Sequence, residues 1–293
     1  MPIKYNELHV DEKYKPLVLP ALFFRTWLVP GVTYQDASTD EAGGWFWHKP
    51  TGEGPAEPGT PGRDFNDEAA KDTLVQAVFN NNFQRSKKIY AVQAAAVAYP
   101  VAAEHMTLAI NEVAEGKNLS ALACLITEGT ASANTAAITA ENFDQQVLAE
   151  RKAVVESKGI ADVVLCAPSF FATMLEKAGQ KYTPTTNEKL LAAAAGGQVG
   201  NYLGMTWIEV NGFANKTDLK YYDFSGTLKS VTAADLAKVD FIMYDHNAFG
   251  AGDNFTMARM KDSENFAGVK AQTEDNAAFR VLEPTAVRIR KHT

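Results

Sequence analysis

The stretch VVLCAPSFF, residues 163 to 171, carries Cys166 and Ser169 from an apolar strand-like run into a helix-like one, a passage where many hydrolases hold a nucleophile. A nucleophile elbow needs small residues on both sides of the reactive side chain, so that a strained turn can form. Pro168, Phe170 and Phe171 stand there instead. Ser169 is therefore read as the N-cap of a helix and Cys166 as a core thiol. Asp245 and His246 are adjacent and could act as general acid and base, but only with partners whose positions the sequence leaves open. GGQVGNYLG, residues 196 to 204, invites a phosphate-loop reading. It lacks the lysine and hydroxyl of GxxxxGK[ST] and the spacing of GxGxxG, and it follows a helix-like segment, so a flexible surface loop is expected. FGAGDNF, residues 249 to 255, fails for the same reasons. There is no CxxC or HExxH, and His9, His48, His105, His246 and His292 are dispersed. No catalytic residue, cofactor site or metal site is expected.

The elements that would position these residues form an α+β pattern. Residues 1–35, with Pro2, Pro16, Pro20 and Pro30, read as an extended arm. Residues 36–90 read as a long two-stranded excursion with a flexible tip, DTLVQAVFNNNFQRSKKIYAVQ supplying ribbon-like alternation. A helix follows from Pro100, with Ala102, Met106, Ala109, Ile110 and Val113 on one face, Glu104, Thr107, Asn111 and Glu115 on the other, and Gly116 as its stop. AVQAAAVAY ahead of it extends that helix through a kink or forms a strand. From about residue 117 the chain reads as helix (Thr139 cap, Gly159 stop), buried strand (ADVVLCAP), helix (SFFATMLEKAG), short helix (NEKLLAAAAGG) and strand (MTWIEVNGF, ending in an Asn-Gly turn). VDFIMYDHNAF and AAFRVLEPTAVRIRKHT are strand-like, and FTMARMKDSENFAGVKAQ between them is a ribbon or a loop.

Composition narrows the class. The chain has 293 residues, 46% of them hydrophobic, enough for a substantial core. No run of about eighteen apolar residues occurs and the first fifteen residues are charged, so neither a membrane span nor a secretion signal is expected. Cys124 and Cys166 lie in apolar surroundings and are read as buried, reduced thiols in a reducing compartment. A net charge of -7 argues against a protein whose main work is gripping nucleic acid. The basic run RIRKHT is read as a solvated terminus, with contact to a neighbouring subunit or to nucleic acid as the alternative.

GGWFWHKPTGEGPAEPGTPGRDF, residues 43 to 65, joins three aromatics to the richest Gly/Pro run of the chain. Burying three rings does not offset the entropy of ordering some twenty such residues, so the stretch needs a surface that brings its own contacts. Trp45, Phe46, Trp47, His48, Lys49 and Arg63 are therefore candidate interface residues, and Asn201 and Tyr202 join them.

From about Glu141 onward the chain resembles the major capsid proteins of tailed bacteriophages with the Hong Kong 97 fold. The carrying stretches are ENFDQQVLAERKAVVESKGIADVVLCAPSFFATMLEKAG, GGQVGNYLGMTWIEVNGF, VDFIMYDHNAFG and VLEPTAVRIR. Pro168 matches the family's proline after a buried strand, Gly200 and Gly204 its glycines before the next, and Phe249 its late aromatic. Order and spacing over most of the chain carry the resemblance, since no single motif is specific.

The resemblance implies an N-terminal arm (1–35), an extended β-hairpin loop (36–91), the spine helix of a peripheral domain (92–118), an axial domain (119–235) and a return to the peripheral domain (236–293). It implies a non-enzymatic shell subunit without cofactors, forming pentamers and hexamers of an icosahedral head around double-stranded DNA that it does not read. Portal and head-completion proteins would be partners, with synthesis in the host cytoplasm and residence in the virion. Family members often carry a helical scaffolding segment at the N-terminus. Nothing ahead of residue 35 fits one, which implies a separate scaffolding protein or prior removal. Some members crosslink a loop lysine to a neighbour's asparagine. Lys49 lies near a plausible loop tip, but no partner is identifiable and no crosslink is expected. Two other classes stay open: an encapsulin-type nanocompartment shell, and a soluble α/β enzyme, whose mark would be a cluster of polar residues in a cleft.

Overall fold

The computed structural model describes residues 26–39, 44–51, 71–96, 101–179, 183–184, 186, 188 and 199–293. In chain order the first elements are β1 (Gln35–Asp36), β2 (Gly44–Thr51), β3 (Lys71–Val78), β4 (Asn81–Tyr90), α1 (Ala91–Ala96), α2 (Val101–Glu128), β5 (Thr130–Ala131), α3 (Phe143–Glu156), β6 (Val163–Cys166) and α4 (Pro168–Ala178). Then come β7 (Thr183–Pro184), β8 (Val199–Tyr202), β9 (Met205–Glu209), β10 (Leu219–Tyr222), β11 (Leu228–Val231), α5 (Ala233–Leu236), β12 (Val239–Tyr244), β13 (Phe249–Asp262), β14 (Gly268–Val281) and β15 (Val287–Lys291). They build a seven-stranded sheet in the order β5-β15-β12-β6-β9-β8-β7, a four-stranded sheet in the order β1-β13-β14-β4, and two hairpins, β2-β3 and β10-β11. Mixed α+β architecture is what the sequence pattern led us to expect.

The seven-stranded sheet is covered on both faces, which is why VVLC is an unbroken apolar run rather than an alternating one. Val163 and Leu165 of β6, Ile208 of β9, and Ile242 and Tyr244 of β12 face Ala121–Ile126 of α2. Val164, Cys166, Trp207, Phe241 and Met243 point the other way, onto Phe143, Val147 and Val154 of α3 and Phe170, Phe171 and Met174 of α4. β15 obeys the same alternation. Val287 and Ile289 enter the α2 side, while Arg288 reaches Glu150 and Arg290 reaches Gln146, both on α3. RIRKHT is therefore not a solvated tail: its first residues pair with β12, and Arg290 is fully buried.

Several local expectations need correction. Pro168 opens α4 behind Ala167, because proline's fixed φ suits a first helical position. Ser169 is then the second residue and not the cap. Asn142, not Thr139, precedes α3; its Oδ1 accepts from the Thr139 amide at 2.8 Å, so Thr139 belongs to the entry turn. GGQVGNYLG is no loop over its second half. Val199–Tyr202 pairs with Met205–Glu209 through a turn at Leu203 and Gly204, both at positive φ. MTWIE ends in a 3-10 turn, Asn211–Ala214. The helix expected over NEKLLAAAAGG lies outside the described residues except at position 188, which is helical.

Gly116 does not end the long helix. NLSALACLI continues it through Glu128, about 42 Å in all, because Ala121–Leu125 are completely buried and tertiary packing outweighs the cost of about 1 kcal/mol for a mid-helix glycine. Gly116 instead lets Phe83 of β4 approach; a Cβ there would lie 3.2 Å from the Phe83 ring. Ala109 and Val113 are buried as expected, but Ile110 is exposed. AVQAAA takes the helical alternative as α1. FTMARMKDSENFAGVKAQ takes the ribbon alternative: β13 and β14 form a long antiparallel hairpin that β4 joins along its other edge. The described part of the arm, 26–35, lies on the same core, with Trp27 and Tyr34 against Phe249. Asn118 of α2 holds it, accepting from Thr26 Oγ1 at 3.0 Å and from the Trp27 amide at 3.2 Å.

The excursion is shorter than 36–90, since only β2 and β3 pair with each other. Where β4 begins, buried Asn81 pins the β10-β11 hairpin. Its Oδ1 accepts from the Tyr222 amide at 2.8 Å and its Nδ2 donates to the Tyr222 carbonyl at 3.0 Å. Asn81→Ala leaves both backbone groups unpaired and is expected to cost about 2 kcal/mol. A urea-unfolding midpoint equal to that of the unmodified chain would contradict this.

Candidate intersubunit surface

Strand alternation splits the WFW segment between two faces. Trp45 and Trp47 turn inward, their rings 4.8 Å apart at 72°, and Trp45 packs 4.7 Å from Phe79. Ala77 and Ala278, both fully buried, complete the seat. The Trp47 ring lies against Gly250 of β13, where a Cβ would overlap its six-membered ring. Gly252, two residues on, gives the same clearance to the backbone of Ala37 and Ser38. The glycines of FGAGDNF thus make one face of the ribbon flat enough for the excursion and the arm to lie against it. The two tryptophans, candidates for contact with another subunit, are held by their own chain.

Phe46 faces the opposite way and is 55% exposed; Leu74, on the same side of β3, is 56% exposed. Sequence reading missed Leu74, although alternation in DTLVQAV places it opposite Val75, which pairs with Trp47. Lys49 is in β2, paired with Thr73, and its ammonium contacts Glu283 beside the last 3-10 turn. Burial works against ionisation of Glu283, but the hydrogen bonds from Lys49 and Thr285 prevail and hold its carboxyl below the ordinary range. His48 pairs with Leu74 through the backbone; Arg63 lies outside the described residues. Tyr202 is buried, its hydroxyl donating to Asp144 at 2.8 Å, and burial followed by that bond pushes its pKa up to about 12. Asn201 is exposed on β8. A further apolar stripe was missed on α3: the doublets Val147-Leu148 and Val154-Val155 each send one residue inward and leave Leu148 and Val155 exposed, with Ile160 beyond. The doublets recur at heptad spacing, a signal present in the sequence.

The residues that opened the chemical reading serve the fold. Cys166 is fully buried between sheet and helices, burial pushing its thiol pKa well up. Among the described residues, Asp162, Asp245 and His246 bring three metal-capable side chains within 4.8 Å. Their carboxylates are engaged in closing turns: Asp245 accepts the amides of Ile160 at 2.7 Å and Asn247 at 2.9 Å, and Asp162 accepts the His246 amide at 3.0 Å and contacts its ring. No helix among the described residues is long and apolar enough to cross a membrane.

A two-faced hairpin mounted on a ribbon, a long helix, and a sheet covered on both faces together make a fold shared with phage capsid structures. Over 96% of its length the chain superposes on 92% of a chain in the capsid structure of cyanophage P-SCSP1u, with TM-score 0.68 and 11% identity. The mature capsid of bacteriophage PhiM1 gives TM-score 0.67 at 12% identity, covering 97% of this chain and 92% of that one. A structure from Mycobacterium phage Che8 gives 0.60 at 14% identity, covering 96% and 98%. No protein-family model and no curated protein matches the sequence.

Because Trp47 occupies the space above Gly250, Gly250→Ala is expected to unseat β2-β3 at a cost of about 1–3 kcal/mol. Trp47 fluorescence should shift to the red before the global unfolding transition. An unchanged spectrum would show that the ring does not depend on the flat strand.

Proposed function

We propose that the chain is a structural subunit, the major capsid protein that self-assembles into the icosahedral head shell of a tailed bacteriophage, and that it is not an enzyme. The observation that carries this reading is the match of fold along nearly the whole chain, at 92–98% of each partner's length, to phage capsid structures. Net negative charge suits a shell that encloses DNA without adhering to it. In this reading the described part of 1–35 is the arm, β2-β3 the extended loop, α2 with the β13-β14 ribbon and β4 the peripheral domain, and the seven-stranded sheet with α3 and α4 the axial domain, so that β12 and β15, within the 236–293 segment expected to return to the peripheral domain, are counted with the axial sheet instead. Because α2 runs to Glu128, we take the boundary with the axial domain about ten residues beyond position 118.

Pentamers and hexamers of one chain would tile the shell through heterologous contacts, a separate scaffolding protein would guide closure, and portal and head-completion proteins would finish the head. Synthesis would be in the host cytoplasm and residence in the virion. Phe46 and Leu74 on the outer face of β2-β3 would meet a neighbouring subunit, with Trp45 and Trp47 stiffening the hairpin from within.

Phe46→Ser combined with Leu74→Ser tests this. The double variant is expected to keep the subunit's unfolding midpoint within about 0.5 kcal/mol, as exposed positions do, and to lose closed particles in negative-stain images. Normal particles would remove this face from the assembly surface. Failure of the unmodified chain to form any closed shell, alone or with a scaffolding protein, would overturn the reading itself.

A further inference from the structure

Where the middle of α2 crosses the base of the ribbon, three charged side chains meet, Asp275 buried and Lys117 and Asp253 partly so. Lys117 contacts Asp253 of β13 and lies 3.3 Å from Asp275 of β14. Asp275 is buried, and Oδ1 of each aspartate is buried without a hydrogen-bond partner. Asp253 stands opposite Ala277, two residues from Asp275 on β14, so strand alternation puts both carboxylates on the helix side of the ribbon. With both ionised, the group carries one net negative charge and two unpaired acceptors, an arrangement that burial penalises. A single proton resolves both faults, since a protonated Asp275 is within hydrogen-bonding reach of Asp253 while Lys117 keeps the remaining carboxylate.

We propose that Lys117, Asp253 and Asp275 form a proton-operated clamp, fastening α2 to the base of the β13-β14 ribbon more firmly in mild acid than at neutral pH. Burial is the main cause that pushes the Asp275 pKa up to about 6, with the Asp253 charge adding to it and Lys117 opposing it. Among the described residues, other neighbours do not supply a second cation. The β4 residue opposite Asp275 is Phe83, and Arg85 and Lys87 on that strand pair with Glu112 of α2. From the arm come Tyr34, whose hydroxyl pKa is raised by burial and then by Asp36, Asp253 and Asp275, and Asp36, which accepts from Ser38.

The sign follows from linkage. A carboxyl that holds its proton more tightly in the folded chain than in the unfolded one, near 3.8, adds stability as pH falls through about 6, and the gain is lost again as pH rises through that value. Its contribution to the folded-to-unfolded ratio is on the order of ten- to a hundredfold between neutral pH and the unfolded value.

Asp275→Asn, which cannot ionise but can donate to Asp253, separates this from simple packing. In urea unfolding of the full chain at pH 7.5, the variant is expected to exceed the unmodified chain in folded-to-unfolded ratio by on the order of tenfold or more, with the advantage reduced by on the order of tenfold at pH 4.5. An advantage independent of pH, or a variant less stable at pH 7.5, overturns the proposal. A carbon-13 carboxyl titration of the unmodified chain decides the case even if the variant fails to fold. An Asp275 midpoint near 6 that moves higher in Lys117→Met supports the clamp, and a midpoint below about 4.5 removes it.

Discussion

Burial of the second half of α2 is the constraint on which the rest of the structure depends. Ala121 to Leu125 have no exposed surface, so this stretch needs apolar partners on every side. It takes them from the inner face of the seven-stranded sheet, from the base of the β13-β14 ribbon, and from the β10-β11 hairpin. One helix thereby fixes two sheets relative to each other. Its end falls at Glu128, where a negative residue opposes the helix dipole. The cost is offset locally: Arg280 donates to Glu128 at 3.2 Å, the Val281 amide donates to it at 3.0 Å, and the Tyr221 hydroxyl at 3.3 Å.

The parts of this design that rest on local pattern were legible in the sequence. VVLC reads as a buried strand because its apolar run is unbroken, VDFIMYDHNAF reads as strand-like, and SFFATMLEKAG reads as a helix, one residue short of its actual start at Pro168. What failed were judgements resting on one residue's average behaviour. Gly116 is a common helix stop, yet here the following residues have more to gain by staying helical against a core. The arginines at 288 and 290 look like a solvated tail because their partners, Glu150 and Gln146, lie more than a hundred residues earlier. GGQVGNYLG was read as a loop because the Leu203-Gly204 turn has no signature as strong as Asn-Gly.

The candidate surface was legible in kind but not in direction. Alternation says that Trp45 and Trp47 share one face and Phe46 the other, but not which face turns inward. That is decided by Ala278 and by Gly250, two small residues some two hundred positions away whose only distinction in sequence is smallness. The FGAGDNF stretch looks like a failed ligand loop until the excursion is laid upon it. Its glycines are then explained by contact between backbone and ring.

The base of the ribbon therefore carries two loads by different physics. On one face Gly250, Gly252 and Ala278 receive aromatic rings and backbone through close, dry contact that has no charge to titrate or screen. On the other, Asp253 and Asp275 meet the helix through charges whose balance changes with one proton. Side chains alternate across a strand, so the two sets share the same few residues of backbone without sharing atoms. A change of pH acts directly on the helix side, whereas a change of side-chain volume at position 250 acts directly on the excursion side. Such separation lets the β2-β3 hairpin stay seated while the contact between the long helix and the ribbon is tightened or relaxed.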